Sequence, residues 1–187
     1  GEEGLTTGRP KGAISTHRSM VANLQNTVFL LTSSSMAQAA AAAEGEDEGA
    51  ALVPAGGQPV ALFTAPLFHV AGCHSTLVVG MMGGLKLVML EGRFEPTKAL
   101  SLIEAEGVTL WTAVPTMVWR VCEAPERHDY DTSTVISVSF GGSPSAEEMQ
   151  RRVRETFPNL KATTNAYGLT ESSSVATTLT GADSLRK

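Results

Sequence analysis

Cysteine, aromatic residues and charge are all scarce in this 187-residue sequence. The two cysteines, Cys73 and Cys122, lie in segments that we expect to be buried. Without a CxxC pair or a nearby histidine pair, they predict neither a disulfide framework nor a zinc site. With a net charge of −5, the chain lacks the basic patch of a nucleic-acid-binding protein. The lone thiols favour a reduced, cytoplasmic setting. No signal peptide is evident, and no apolar run is long enough to predict a transmembrane segment.

Hydrophobic residues are plentiful enough, at 42%, for one globular core. Apolar residues recur at helical spacing from Met20 to Leu31, which predicts a helix over residues 17–32. Residues 33–57 then form a low-complexity insertion or loop. An alanine run in this insertion could prolong the helix by propensity alone, and from Gly45 onward we expect a solvated loop.

After this insertion, short apolar runs alternate with helical segments. The predicted strands cover residues 60–63, 85–90, 108–112, 135–140 and 161–165. Helices are predicted at residues 72–80, 96–107 and 115–122 and after a capping box formed by Ser145 and Glu148. This alternation predicts an α/β fold with a mainly parallel sheet and flanking helices.

Ligands bind at the carboxyl ends of the strands in such sheets. We therefore expect the residues that follow Phe63, Thr112, Phe140 and Asn165 to meet at one functional edge. Two motifs occupy such positions, GGSP after the fourth predicted strand and YGLTE after the fifth.

The segment TTGRPKG, residues 6–12, has the composition of a phosphate-binding loop. Its glycines let backbone N–H groups point at an anion, its threonines add hydroxyl donors, and Lys11 adds a positive charge. It is not a Walker A loop, because the GK[ST] ending is missing. A solvated hairpin is the alternative that this motif alone leaves open.

The YGLTE motif offers groups suited to a nucleotide. Tyr167 has a flat face for a base, and Gly168 permits close approach of the backbone. Glu171 is a hard oxygen ligand suited to Mg²⁺ bound with phosphates, and Thr170 adds a hydroxyl. In the GGSP turn, residues 141–144, the missing Cβ atoms would let a flat ring lie against the backbone. A plain turn at a strand end is the alternative for each motif taken alone.

Taken in order, TTGRPKG, PLFHVAG (residues 66–72), GGSP and YGLTE resemble the motifs of the acyl-adenylating (AMP-binding) superfamily, in its branch of acyl-CoA synthetases and 4-coumarate-CoA ligase-like enzymes. The resemblance runs from about Thr6 to Thr178. It implies an ATP-dependent acid–thiol ligase, which turns a carboxylic acid, expected to be a fatty acid, into an acyl-adenylate and passes it to coenzyme A. ATP, Mg²⁺ and coenzyme A are the implied cofactors. The implied partner is a small-molecule carboxylate, with a homo-oligomer left open.

The resemblance also implies roles for single residues. The loop for the β- and γ-phosphates is matched by Thr6, Thr7, Gly8 and Lys11. One wall of the adenine site, bordering the acyl pocket, is matched by Gly141, Gly142, Ser143 and Pro144, and the other wall by Asn165, Ala166, Tyr167 and Gly168. The implied catalytic residues are Thr170 at the α-phosphate, Glu171 as the Mg²⁺ ligand and His69 near the reacting carboxylate. The implied acyl pocket contains Phe68, His69, Trp111, Val114 and Met117.

Several assignments keep an alternative. His69 could be a hydrogen-bonded histidine at a strand end, and Trp111 is equally compatible with the core. His17, His74 and His128 match no motif position, so we expect packing or surface roles for them.

The start of the chain departs from the family pattern. Leu5 stands where the family loop has a glycine, and Glu3 would lie near a triphosphate. Either the loop is impaired or Gly1 to about Leu5 is not native, and we favour the second interpretation. We expect residues 1–187 to be a single partial domain, the central part of the AMP-binding domain, with the C-terminal lysine-bearing domain absent. The chain is then expected to be inactive alone. A module that loads a carrier protein and a nucleotide-binding domain that has lost catalysis are the alternatives.

Overall fold

The computed structural model of the chain describes residues 12–43, 57–141 and 147–180. Its strands are β1 (Val60–Phe63), β2 (Lys86–Met89), β3 (Leu110–Ala113), β4 (Ser137–Gly141), β5 (Ala162–Leu169) and β6 (Ser174–Thr180). Its α-helices are α1 (His17–Ala43), α2 (Val79–Met82), α3 (Pro96–Glu106), α4 (Pro115–Cys122) and α5 (Glu147–Thr156). A π-helix, Ala71–Val78, leads into α2, and 3₁₀ turns occupy Pro125–Asp129 and Thr170–Ser172.

The strands form one six-stranded sheet in the order β2-β1-β3-β4-β5-β6. β1 to β5 run parallel, and β6 pairs antiparallel with β5. Next to the edge strand β2, Leu62 of β1 lies in register with Val88 of β2 on one side and Trp111 of β3 on the other. The predicted α/β fold with a mainly parallel sheet and flanking helices is therefore confirmed.

The hydrophobic core is built from the central strands together with α3, α4 and α5. Leu100 and Ile103 of α3 are fully buried, as the helical spacing of the sequence predicts. α3 begins with Pro96, which the first turn of a helix tolerates, and ends at Gly107, whose φ of 62° is the left-handed conformation that glycine adopts without cost. This packing fixes the positions of the strand ends.

Two elements extend beyond their predicted lengths. α1 continues to Ala43, because the alanine run has the highest intrinsic helix propensity, so residues 33–43 of the predicted insertion are helical. Residues 44–56, where we predict a solvated loop, lie outside the described residues, as does Ser145 of the predicted capping box. β5 continues through Leu169, because β6 supplies backbone partners along it. Tyr167 and Gly168 therefore lie within a strand and not in a turn.

The cysteines differ in their surroundings. Cys122 is buried, as expected, whereas Cys73 is exposed on the π-helix, which corrects the expectation that both are buried. Among the described helices, none combines the length and the apolar character needed to cross a bilayer.

Candidate functional site

A cavity of about 350 Å³ lies at the carboxyl ends of β1, β3 and β4 and beside β5. The strand-end part of its wall consists of Thr64, Ala65, Thr112, Ala113, Val114, Gly141 and Ala166. Because β1, β3, β4 and β5 are parallel, their carboxyl ends meet at the same edge of the sheet. The residues that follow these strands therefore meet at one edge, as the sequence predicts. The wall is mainly apolar with a few hydroxyl groups, which is typical of small-molecule sites.

The PLFHVAG segment forms a second part of the wall. The His69 N–H donates to the Pro66 carbonyl at 3.1 Å, and the Cys73 N–H donates to the His69 carbonyl at 2.9 Å. The Nδ1 atom of His69 accepts the Ala71 N–H at 3.1 Å, so a neutral His69 ring carries its proton on Nε2. A Cβ atom at Gly72 would lie 2.1 Å from the Pro66 carbonyl oxygen. Only glycine therefore lets the π-helix begin so close to Pro66.

The YGLTE motif bridges the cavity and the surface. Tyr167, Gly168 and Leu169 of β5 line the cavity. Thr170, which begins the next 3₁₀ turn, is buried, and Glu171 after it is exposed. The motif therefore offers an aromatic face to the cavity and a carboxylate to solvent.

Gly168 serves the contact between two strands. A Cβ atom there would lie 2.1 Å from the Ser174 carbonyl oxygen, so a side chain would push β6 away from β5. The pairing of the two strands also shifts register between Tyr167 and Gly168. The close contact at Gly168 is therefore one between β5 and β6.

Two serines where the 3₁₀ turn meets β6 adopt unusual backbone conformations. Ser173 has a φ of 59° and Ser174 a φ of 121°, values that cost roughly 1–3 kcal/mol each outside glycine. Side-chain contacts hold this geometry: Ser172 Oγ donates to the Ser174 carbonyl at 2.7 Å, and the Ser75 and Ser174 hydroxyls are in contact. Ser174 and Ser75 both line the cavity. The strained turn thus ties β6 to the π-helix across the cavity wall.

The described residues contain no group of three or more histidine, cysteine or acidic side chains that could cage a metal ion. Glu171 is a single carboxylate beside the buried Thr170. Mg²⁺ is commonly held by one or two carboxylates together with substrate phosphates. The donor set at this turn therefore fits a magnesium ion that arrives with a nucleotide.

The model of the AMP-binding enzyme family matches residues 6–187. This chain belongs to the AMP-binding enzyme family. It is similar to the 4-coumarate--CoA ligase CCL1 of Humulus lupulus, with 31% identity over 170 residues that cover 91% of this chain and 27% of the relative. The chain thus spans about a quarter of the length of the curated relatives that it matches.

Solved structures agree with this assignment. The inhibitor-bound N-terminal domain of FACL13 from Mycobacterium tuberculosis matches with a TM-score of 0.74 and 26% identity, over 99% of this chain and 40% of that one. A fatty acyl CoA synthetase from the same organism matches with a TM-score of 0.71 and 27% identity, over 97% of this chain and 31% of that one. The fold is therefore that of part of the N-terminal domain of AMP-binding enzymes.

The cavity brings together many of the residues to which the AMP-binding resemblance gives roles. Those that line it are His69, Val114, Met117, Gly141, Ala166, Tyr167 and Gly168. Asn165, Thr170 and Glu171 adjoin it through β5 and the following turn. The phosphate-loop residues Thr6, Thr7, Gly8 and Lys11 and the turn residues Gly142, Ser143 and Pro144 lie outside the described residues.

Two predicted pocket residues of this AMP-binding chain do not line the cavity. Trp111 is 1% exposed and belongs to the core, where it stacks on Phe94 and meets Phe157 edge-on. Successive side chains of a strand face opposite sides of the sheet, so Thr112, and not Trp111, lines the cavity. Trp111 reaches the wall only through its Nε1–H, which donates to Thr64 Oγ1 at 3.2 Å. Phe68, at the tip of a turn, is 85% exposed.

The sequence prediction missed part of the wall. Ser75, Thr76, Ser174 and Val175 line the cavity, and none of them belongs to a motif that the AMP-binding resemblance assigns. The signal for β6 is its Val- and Thr-rich segment SVATTLT, a composition that favours strands.

Proposed function

We propose that the full-length protein containing this chain activates a carboxylic acid with ATP and transfers the acyl group to coenzyme A. One observation carries the proposal. His69, Gly141 and the YGL part of YGLTE, which stand far apart in the sequence, meet around a single cavity at the strand ends. The family membership supplies the reaction class to which such a cavity belongs.

The proposed reaction has two steps. A carboxylate oxygen attacks the α-phosphorus of ATP, an acyl–O–P bond forms, and the bond to the bridging oxygen breaks with pyrophosphate taking the electron pair. The thiolate of coenzyme A then attacks the acyl carbonyl carbon, a thioester forms, and AMP leaves. The first step needs positive charge where pyrophosphate develops, and preorganised donors supply it at low cost.

The residues of this chain answer that need in distinct ways. We assign the Thr170 hydroxyl to the α-phosphate and the Glu171 carboxylate to Mg²⁺. When bound, the ion neutralises charge on the phosphates. Tyr167 and Gly141 form the two sides between which the adenine lies.

The mainly apolar wall supports an apolar acid as the substrate, and we propose a fatty acid. Its carboxylate lies near His69, at the cavity. We also retain the prediction of a cytoplasmic protein, with self-association untested.

The experiment measures pyrophosphate release by the full-length protein over a panel of carboxylic acids, with ATP and Mg²⁺. We expect acid-dependent release and AMP formation that depends on coenzyme A. In Glu171→Gln, the rate falls by roughly 10²–10³, because one charged ligand for the metal is lost. The matched control is Glu126→Gln, since Glu126 is also an exposed glutamate in the first turn of a 3₁₀ helix. This control keeps the rate.

Other results point to the alternatives. Acid-dependent pyrophosphate release without any requirement for coenzyme A favours a module that loads a carrier protein. ATP binding with no release for any acid favours a nucleotide-binding domain that has lost catalysis. Equal rates in Glu171→Gln and the unchanged protein contradict the assigned role of Glu171.

A further inference from the structure

His74 is a buried histidine that none of the assigned motif roles uses. It lies in the π-helix and is 1% exposed. Within the described part of the chain, neither of its ring nitrogens has a hydrogen-bond partner. Buried polar groups in proteins are nearly always paired, so an unpaired buried imidazole calls for an explanation such as a missing ligand.

The chemistry of this ring is that of a neutral imidazole. Burial lowers the pKa of His74 below its usual value, because the charged form loses its hydration. Near neutral pH the ring therefore has one N–H donor and one nitrogen acceptor. Such a ring pairs with a hydroxyl or a carbonyl group. A second carboxylate on the substrate would be a poor partner for this neutral ring, because a buried charge needs a counter-charge.

The residues around His74 in the helix belong to the cavity. Val70, Ala71 and Ser75 all line it. The backbone carbonyl of His74 accepts the N–H of Val79, the wide hydrogen bond of a π-helix, and such segments often occur at functional sites. The ring of His74 is not part of the wall itself. For the ring to take part in binding, its rotamer has to change toward Ser75, and side-chain changes of this kind often accompany binding.

We infer that His74 determines substrate class: the cavity takes a largely apolar carboxylic acid that carries one neutral hydrogen-bonding group, a hydroxyl or a carbonyl, which pairs with the imidazole. The inference rests on the proposed function and narrows it. An unsubstituted acid of the same skeleton leaves His74 unpaired, and a site built around a polar group discriminates against such an analogue.

The test compares two acids with the same carbon skeleton, with and without a hydroxyl group, across a series of skeletons. The full-length protein is assayed for pyrophosphate release, and the ratio of kcat/KM values is taken for each pair. We expect the best-accepted skeleton to favour the hydroxylated acid by roughly tenfold to a hundredfold. In His74→Leu, which keeps an apolar side chain of moderate size, the ratio falls to about one, chiefly because the hydroxylated acid loses activity.

Two further variants make the result specific to hydrogen bonding. His74→Gln keeps a donor and an acceptor, and we expect it to retain part of the preference. Cys73→Ala changes the adjacent, exposed residue of the same helix and should leave the ratio unchanged. Activity of His74→Leu with the unsubstituted acid shows that the variant is folded. If this variant does not fold, His74→Gln and His74→Asn provide the comparison.

The contrary outcomes are distinct. A ratio in His74→Leu equal to that of the unchanged protein overturns the inference and leaves His74 a structural residue. A preference of the unchanged protein for unsubstituted acids overturns it as well. Absence of pyrophosphate release with every acid contradicts the proposed function instead. Thermal stabilisation by each acid, compared between the unchanged protein and His74→Leu, then tests the role of His74 without catalysis.

Discussion

Two glycines of the cavity wall meet different requirements. At Gly168, a Cβ atom would collide with the Ser174 carbonyl oxygen, whereas at Gly141 the nearest atom of the described residues to such a Cβ is the Ala166 carbonyl oxygen at 3.9 Å. The first glycine is therefore required by strand pairing. At the second, the described residues leave room for a Cβ atom.

We predict opposite effects for alanine at these two positions. Gly168→Ala lowers the free energy of unfolding by about 1–3 kcal/mol, since β6 must shift away from β5. Gly141→Ala leaves that free energy nearly unchanged and raises the KM for ATP, because the added methyl group occupies the proposed adenine side of the cavity. Urea unfolding and pyrophosphate release measure the two effects. Equal stability losses in the two variants would contradict this distinction.

At this scale, sequence could give the residue types of the site but not the direction of each side chain. The alternation of β3 implies that one of Trp111 and Thr112 faces the cavity, without saying which. That choice depends on α3, α4 and α5 covering the opposite face of the sheet, a feature of tertiary packing. The orientation of Phe68 likewise depends on the turn closed by the His69 N–H and the Pro66 carbonyl.

At the scale of elements, α5 carries a cluster of ion pairs on its exposed face. Glu148 pairs with both Arg151 and Arg152. The Nη1 atom of Arg152 also lies 3.2 Å from Oε1 of Glu123, the residue that follows α4. Hydrogen bonds from Arg151, and then from Arg152, lower the pKa of Glu148 to about 2. The carboxylate therefore binds its proton less readily in the folded chain than in the unfolded one.

The lowered pKa of Glu148 makes the stability of the folded chain depend on pH. Because the pKa of Glu148 is lower in the folded state, its stabilising contribution is present above pH 4.5 and is lost as the pH falls toward 2. In Glu148→Gln, the free energy of unfolding should therefore decline less between pH 5 and about pH 3 than in the unchanged protein. Urea unfolding at several pH values measures this, and added salt should shrink the difference because the pairs are exposed.

Glu91→Gln, in the exposed loop after β2, is the control. It should keep the acid-side slope of the unchanged protein. A slope in Glu148→Gln that equals this control would show that the α5 pairs do not contribute.

Elements with regular apolar spacing were predictable. Elements that depend on backbone hydrogen bonds to another part of the chain were not. α3 and α4 follow from helical periodicity and from prolines at their first turns. β6 lacks an apolar run and exists as a strand because β5 offers it backbone groups. The π-helix likewise has no sequence signature, since it depends on a wide backbone hydrogen bond and on the contact at Gly72.

At the scale of the whole molecule, the described cavity contains the places that we propose for the acid and the adenine, while the chain spans about a quarter of the length of its relatives. The resemblance assigns the lysine that serves adenylation to a C-terminal domain. We therefore predict that the 187-residue chain alone releases no pyrophosphate above background with any acid of the panel. The full-length protein under the same conditions is the positive control.

Circular dichroism of the chain, which should show mixed helix and strand, separates lack of activity from lack of folding. Substantial acyl-adenylate formation by a folded chain would contradict the prediction. It would mean that the residues of this chain complete the reaction centre by themselves.

The π-helix has a consequence for how such a cavity can diverge between lineages. A π-helix closes each hydrogen-bonded turn with one residue more than an α-helix. The segment Ala71–Val78 therefore resembles an α-helix into which one residue has been inserted. Loss of one codon there would restore α-helical pitch and rotate different residues toward the wall, with His74 and Ser75 among those displaced. Substrate range could then change through a single insertion or deletion, with no residue replaced and no strand of the sheet disturbed.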